Sequence, residues 1–135
     1  MIVVDTNVIS YFYLNSEYSE LAEELFLKTS QWSAPLLWRS EFRNVLSFYI
    51  RKEIVSISDA FQIFEAAQTL MNGAEYEVNA LKVLRLSYES GCSAYDCEFV
   101  NLAQDLNVPL VTMDKKILRN FPDWAVSIPE YLKHY

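Results

Sequence analysis

A chain of 135 residues, 52% hydrophobic and 15% aromatic with two glycines and four prolines, has the composition of one packed domain over 1–135 rather than a linker or disordered segment. Its formal net charge of −7 excludes a protein that grips nucleic acid with its whole surface, although carboxylate-held metal ions can still present a cationic centre to a phosphate. No stretch approaches the roughly 18 uncharged apolar residues of a membrane span, and the first residues lack the flanks of a signal peptide, so a cytoplasmic protein with no membrane association is expected.

The apolar, β-branched run over 1–5 ends on Asp5, the pattern of a buried strand feeding a turn, and Thr6-Asn7 opens a helix. A second helix is predicted over 16–29, with Leu21, Leu25 and Phe26 inward and its glutamates solvated. A short strand at Trp32 to Ala34 stops at Pro35. A long helix then runs to about Lys52, with Trp38, Phe42, Val45, Leu46 and Tyr49 on one stripe and Glu41 beside it. Ser56 or Ser58 can cap the next helix, which ends at Asn72-Gly73.

Glu75 to Val78 reads as a brief strand and Ala80 to Tyr88 as a helix stopping at Gly91. Ser93 caps a helix that carries Tyr95, Phe99, Leu102 and Leu106 and ends near Asn107. Val108 to Met113 is a buried strand, followed by Asp114 and a short basic helix, Lys115 to Asn120. A strand at Ala125 to Ile128 and a helix from Pro129 close the chain. This alternation predicts an α/β fold, a Rossmann-like parallel sheet covered by helices.

Each of four acids has an ordinary explanation: Asp5 and Asp114 as helix caps, Asp96 as part of a capping box after Ser93, Glu41 as a surface glutamate between Arg39 and Arg43. Their placement adds something further. Asp5 and Asp114 both end apolar strands, and ligands bind in the crevice at the carboxyl ends of strands in open parallel sheets. Asp96 and Glu41, in the first turns of their helices, can open onto the same edge. Four carboxylates so gathered repel one another unless a cation or protons compensate them, and an all-oxygen donor set favours Mg2+ or Mn2+ over zinc.

The single histidine, His134, lies in the tail, so triad chemistry has no base, and no phosphate-cradling glycine loop is present. Cys92 and Cys97 read as reduced core thiols. Metal-assisted hydrolysis is the chemistry that remains.

The runs Ile2-Val3-Val4-Asp5-Thr6-Asn7, Ser40-Glu41-Phe42-Arg43-Asn44-Val45-Leu46, Ala94-Tyr95-Asp96-Cys97-Glu98-Phe99 and Leu110-Val111-Thr112-Met113-Asp114, in this order, make the whole chain resemble the PIN-domain ribonucleases. The single-domain toxins of toxin-antitoxin pairs are the nearest likeness. The resemblance implies an endoribonuclease whose catalytic metal ligands are Asp5, Glu41, Asp96 and Asp114, supported by Thr6, Asn7 and Thr112. It also implies an RNA substrate, a small antitoxin partner and a homodimer. Where family members often carry a further acid after the last aspartate, this chain has Lys115 and Lys116, which puts a second metal in doubt. Those lysines with Arg119, Arg39 and Arg43 are candidate RNA contacts. Glu98, two residues beyond Asp96, is expected to point elsewhere.

Two other classes compete. One is a non-catalytic module of the same fold whose acidic mouth engages a protein partner. The other is an aspartate-based receiver or phosphatase; a haloacid-dehalogenase-like phosphatase wants a second aspartate two residues after the first, and that position is Asn7. The Tyr11-Phe12-Tyr13 run cannot turn all three rings to one core, so an exposed ring available to a partner is expected.

Overall fold

The computed structural model describes residues Met1–Tyr135. Five strands, β1 (Ile2–Val4), β2 (Trp32–Pro35), β3 (Glu75–Tyr76), β4 (Leu110–Val111) and β5 (Ala125–Val126), are joined by eight helices. The helices are α1 (Thr6–Tyr13), α2 (Ser19–Lys28), α3 (Leu37–Arg51), α4 (Ile57–Met71), α5 (Ala80–Ser90), α6 (Ala94–Leu106), α7 (Lys115–Asn120) and α8 (Ile128–His134). All strand pairs are parallel, in the order β3-β2-β1-β4-β5. The expected α/β architecture is therefore the observed one. The chain moves outward from β1 through β2 to β3, then crosses to the other side of β1 for β4 and β5, which makes the carboxyl ends of β1 and β4 the topological switch point.

The central strands are apolar along their whole length because both faces are covered: Ile2, Val3, Val4, Leu110 and Val111 are buried, and α6 packs against β1, β2 and β4. Trp32, Trp38, Phe42 and Phe99 are the bulkiest members of the same core. Cys92 and Cys97 are free and buried, in a small satellite cluster with Val83.

Four of the five strands are shorter than the sequence pattern predicts, while β2 runs one residue further than expected, through Pro35. Of Val108 to Met113 only Leu110–Val111 is strand, because Asn107 takes a left-handed turn (φ 54°) to end α6 and the chain needs residues 108 and 109 to leave it. The ladder nevertheless runs one residue past each strand, with Asp5 N–H donating to Val111 O and Thr112 N–H to Val126 O, both at 3.0 Å. Helix starts follow their caps: Ser56, not Ser58, accepts from the N–H of Asp59, and Ser93 from that of Asp96. The last helix begins at Ile128 under the Ser127 cap, with Pro129 in the first turn where no N–H is required.

The aromatic run on α1 solves its geometric problem differently from the expectation, since none of the three rings stands fully exposed. Phe12 packs on Phe26 and Trp32, Tyr13 lies against Phe12 and Phe42, and Tyr11 sits edge-on to Tyr18. Three consecutive residues serve three separate neighbourhoods.

Candidate active site

At the end of β1 the chain turns into α1, and Asp5 occupies the turn with an exposure of 8%. Its Oδ1 accepts the N–H of Thr6 at 2.8 Å and its Oδ2 the hydroxyl of Thr112 at 2.7 Å. Thr112, fully buried at the end of β4, also accepts from the N–H of Asp114 (3.0 Å) and from the Asn7 amide (3.4 Å). One hydroxyl thus ties the two strand-ending aspartates together across the switch point. Asp114 caps α7 through Oδ1, which accepts the N–H groups of Lys116 and Ile117 at 2.9 and 3.0 Å.

Two helices bring the other acids. Glu41, in the second turn of α3, receives the Thr6 hydroxyl on Oε1 at 2.7 Å, and Asp96 sits in the first turn of α6. Asp5, Glu41, Asp96 and Asp114 line one pocket of 440 Å³ together with Thr6, Asn7, Ser10, Tyr11, Asn44 and Val45. None of these residues carries a positive charge.

The electrostatic consequence is large. Burial pushes the Asp5 carboxyl up to about 7, against the lowering effect of its Thr112 and Thr6 hydrogen bonds and with further raising by Glu41 and Asp96. Burial also raises Glu41, opposed by the Thr6 hydrogen bond and reinforced by Asp96 and Glu98. Asp96 is raised by burial and by Asp114, while Ser93 and Lys116 pull it down. Such a pocket is short of positive charge, and hard oxygen donors suit a small divalent cation. The carboxylates form an open basin rather than a ready-made cage, since no three acidic side chains stand in a grouping that could hold an ion as they are.

The basic residues are distributed differently from the sequence expectation. Arg39 is not at the pocket: its guanidinium is locked on Glu75 of β3 by two bonds of 2.6 Å, a bidentate pair that holds the Glu75 carboxyl below its ordinary range and that Trp38 Nε1 joins at 2.7 Å. Arg43 turns away over the Phe64 ring in the groove between α3 and α4. Lys115, Lys116 and Arg119 lie exposed on α7 outside the pocket lining, with Lys116 donating to Gly91 O at 3.1 Å. Glu98 lies outside the pocket lining, in keeping with its expected direction, but it is half-buried and adds to the raising of Glu41.

Ser10, Tyr11, Asn44 and Val45 were not assigned to the site from sequence, where Tyr11 was read within an aromatic run and Val45 within an apolar stripe. Helical spacing carries the signal for all of them. Ser10 and Tyr11 fall one turn after Thr6 and Asn7, and Asn44 and Val45 one turn after Glu41, so each shares a face with a residue already at the site.

A buried strand-end aspartate joined through a threonine to a second one, with two helix-borne acids beside them at the switch point of a parallel sheet, is an arrangement known from a defined class of α/β domain. Residues 2–122 match the PIN domain family, and the chain belongs to it. Ribonuclease VapC3 from Pyrobaculum aerophilum is 26% identical over 125 residues, covering 90% of this chain and 95% of that protein. The crystal structure of PAE2754 from the same organism superimposes with a TM-score of 0.76 at 19% identity, over 98% of this chain and 86% of the other. A toxin-antitoxin complex from Klebsiella pneumoniae does so with a TM-score of 0.70 at 16% identity, over 95% of this chain and 98% of its counterpart. At these identities the structural likeness establishes the shared fold.

Proposed function

We propose that this chain is a Mg2+- or Mn2+-dependent endoribonuclease, a single cytoplasmic PIN domain that acts as the toxin of a toxin-antitoxin pair and is held by a small antitoxin. The observation that carries the reading is the convergence of Asp5, Glu41, Asp96 and Asp114, from four separate elements, on one pocket whose lining holds no cationic side chain. Its relative from Pyrobaculum aerophilum bears the name of a ribonuclease, and a protein of the same fold occurs in a toxin-antitoxin complex, which supports the substrate class and the partner.

Asp5, Glu41, Asp96 and Asp114 are the residues that would hold the cation, which when bound would supply Lewis acidity toward water and the phosphate. The protein's own contribution is positional. The Thr112 and Thr6 hydroxyls donate to Asp5 and Glu41 and so fix both carboxylates as acceptors. Burial keeps bulk water from screening the charges they present. The apolar groove of 680 Å³ between α3 and α4, with Ile57 and Phe61 exposed along it, suits an amphipathic segment of a protein partner.

The test is cleavage of RNA with manganese and with chelator, comparing wild type with Asp5→Asn and Asp96→Asn. Losing a residue that merely supports a metal site costs about 10- to 100-fold, so each variant is expected to lose at least about 100-fold. Equal cutting by both overturns the assignment. Saturating manganese should also raise the melting temperature of wild type and leave that of Asp5→Asn nearly unchanged. Manganese binding without any RNA cleavage favours the second reading, a binding module with an acidic mouth, for which the open spacing of the carboxylates speaks.

A further inference from the structure

The acidic pocket has a wall that the metal chemistry does not use. Ser10 and Tyr11, on α1, and Asn44, on α3, line it beside the carboxylates. The Tyr11 ring is half-buried and braced edge-on by Tyr18, with centroids 5.0 Å apart and planes at 61°. Burial foremost, then Tyr18, Asp5, Glu17 and Tyr49, raise its phenol above the ordinary tyrosine range, so the hydroxyl stays a donor. Ser10 Oγ is buried without a hydrogen-bond partner, and Asn44 stands exposed one turn beyond Glu41.

The absence of positive charge in this lining bears on how a nucleic acid strand can be held there. Arg39 is committed to Glu75 and Arg43 to the Phe64 face, so neither offers the usual phosphate grip at the pocket. What the wall offers is an aromatic face, an amide and two hydroxyls. Those groups recognise an unstacked base and its ribose, and a base in a duplex, covered on both faces by its neighbours, cannot meet them.

We infer that Tyr11, Asn44 and Ser10 form a nucleotide subsite on the wall of the acidic pocket, in which the Tyr11 ring stacks on an unpaired base of the RNA next to the bond that is cut. The Asn44 amide and the free Ser10 hydroxyl hydrogen-bond to the same nucleotide. The inference rests on the endoribonuclease reading and adds to it the residues of this chain that hold the nucleotide beside the cut. Tyr11 and Asn44 are positioning residues, acting on substrate affinity more than on the chemical step.

The experiment uses the full chain with manganese and an unstructured RNA oligomer, alongside the same oligomer with one abasic ribose placed at each position in turn. A base-to-aromatic stack is worth enough that Tyr11→Leu should raise KM about ten-fold with a smaller change in kcat, and Tyr11→Phe, which keeps the ring, should restore it. On the one abasic RNA that lacks the stacked base, wild type should bind as weakly as Tyr11→Leu, and the penalty of the substitution should vanish. Asn44→Ala, at an exposed helix position, should raise KM about three-fold. A wild-type KM in Tyr11→Leu, or a penalty that persists on every abasic RNA, overturns the subsite and makes Tyr11 a structural prop. Should Tyr11→Leu fail to fold, the abasic scan on wild type decides alone: affinity that falls at no single position overturns it. A wild type that cuts no RNA at all is a separate result, and it removes the ribonuclease reading beneath the subsite.

Discussion

The junctions β1-to-α1 and β4-to-α7 are built to the same local plan, an apolar parallel strand, an aspartate and then a helix, yet the two aspartates differ in burial and in hydrogen-bond partners. Asp114 spends one carboxylate oxygen on two N–H groups of the helix it starts, an ordinary cap on a half-buried turn. Asp5 accepts only one N–H from its helix and gives its other oxygen to Thr112, in a place so buried that its carboxyl titrates near neutrality. Asp114 therefore stabilises the fold that carries it, whereas the fold holds Asp5 at a cost to its charged form. A strand-end aspartate can be read from sequence. Whether it supports the fold or is supported by it depends on what closes over it.

The sharpest separation of the two should come from pH. Asp5 binds its proton more tightly folded than unfolded, as do Glu41 and Asp96, so between about pH 4 and about pH 7 the folded state carries more protons. Stability of the metal-free protein should therefore fall as pH rises through that window. The loss is on the order of 2–3 kcal/mol, measured by urea unfolding in chelator at about pH 5 and about pH 8. Asp5→Asn should remove most of that fall, whereas Asp114→Asn, which relieves only the Asp96 carboxyl, should remove a small part of it; the reverse pattern would undo the contrast between the junctions.

A smaller effect tests the link between them. Thr112→Val keeps the shape but deletes the donor to Asp5 and the acceptor for Asp114 N–H, and should lower manganese-dependent cleavage by about ten-fold, seen in kcat/KM. Smallest of all, Asp114→Ala should cost about 1 kcal/mol of metal-free stability through the lost cap. Asp5→Asn in the same urea titration at neutral pH should cost less than that, because it removes a buried charge and its one amide oxygen still accepts from the Thr6 N–H, although the Thr112 hydroxyl loses its acceptor.

The parallel sheet and its helices were legible because β-branched runs and helical stripes do not overlap in this chain, and the caps at Ser93, Asn107 and Gly91 mark their ends. The four acids were legible for a related reason, each standing at the end of a strand or in the early turns of a helix. Arg39 was not, since its partner Glu75 lies 36 residues on and only the pairing of β2 with β3 brings them together. The direction of Glu98, away from the pocket lining, was legible from its place two residues beyond Asp96, whereas its electrostatic effect on Glu41 depends on how α3 and α6 sit together. The wall of Ser10, Tyr11 and Asn44 had a local signal in its helical spacing, but polar residues at one-turn intervals are common, and only the pocket distinguishes these.

The strand order has a consequence for how the protein comes into being. β1, first in the chain, is the middle of the sheet, and it waits for β4 at residues 110–111 before its second edge is covered. Asp5 and Glu41 leave the ribosome before Asp96 and Asp114. A translation product that stops before Leu110 lacks both the strand that covers the second edge of β1 and a complete set of acids, so the site is assembled only after synthesis has passed Asp114.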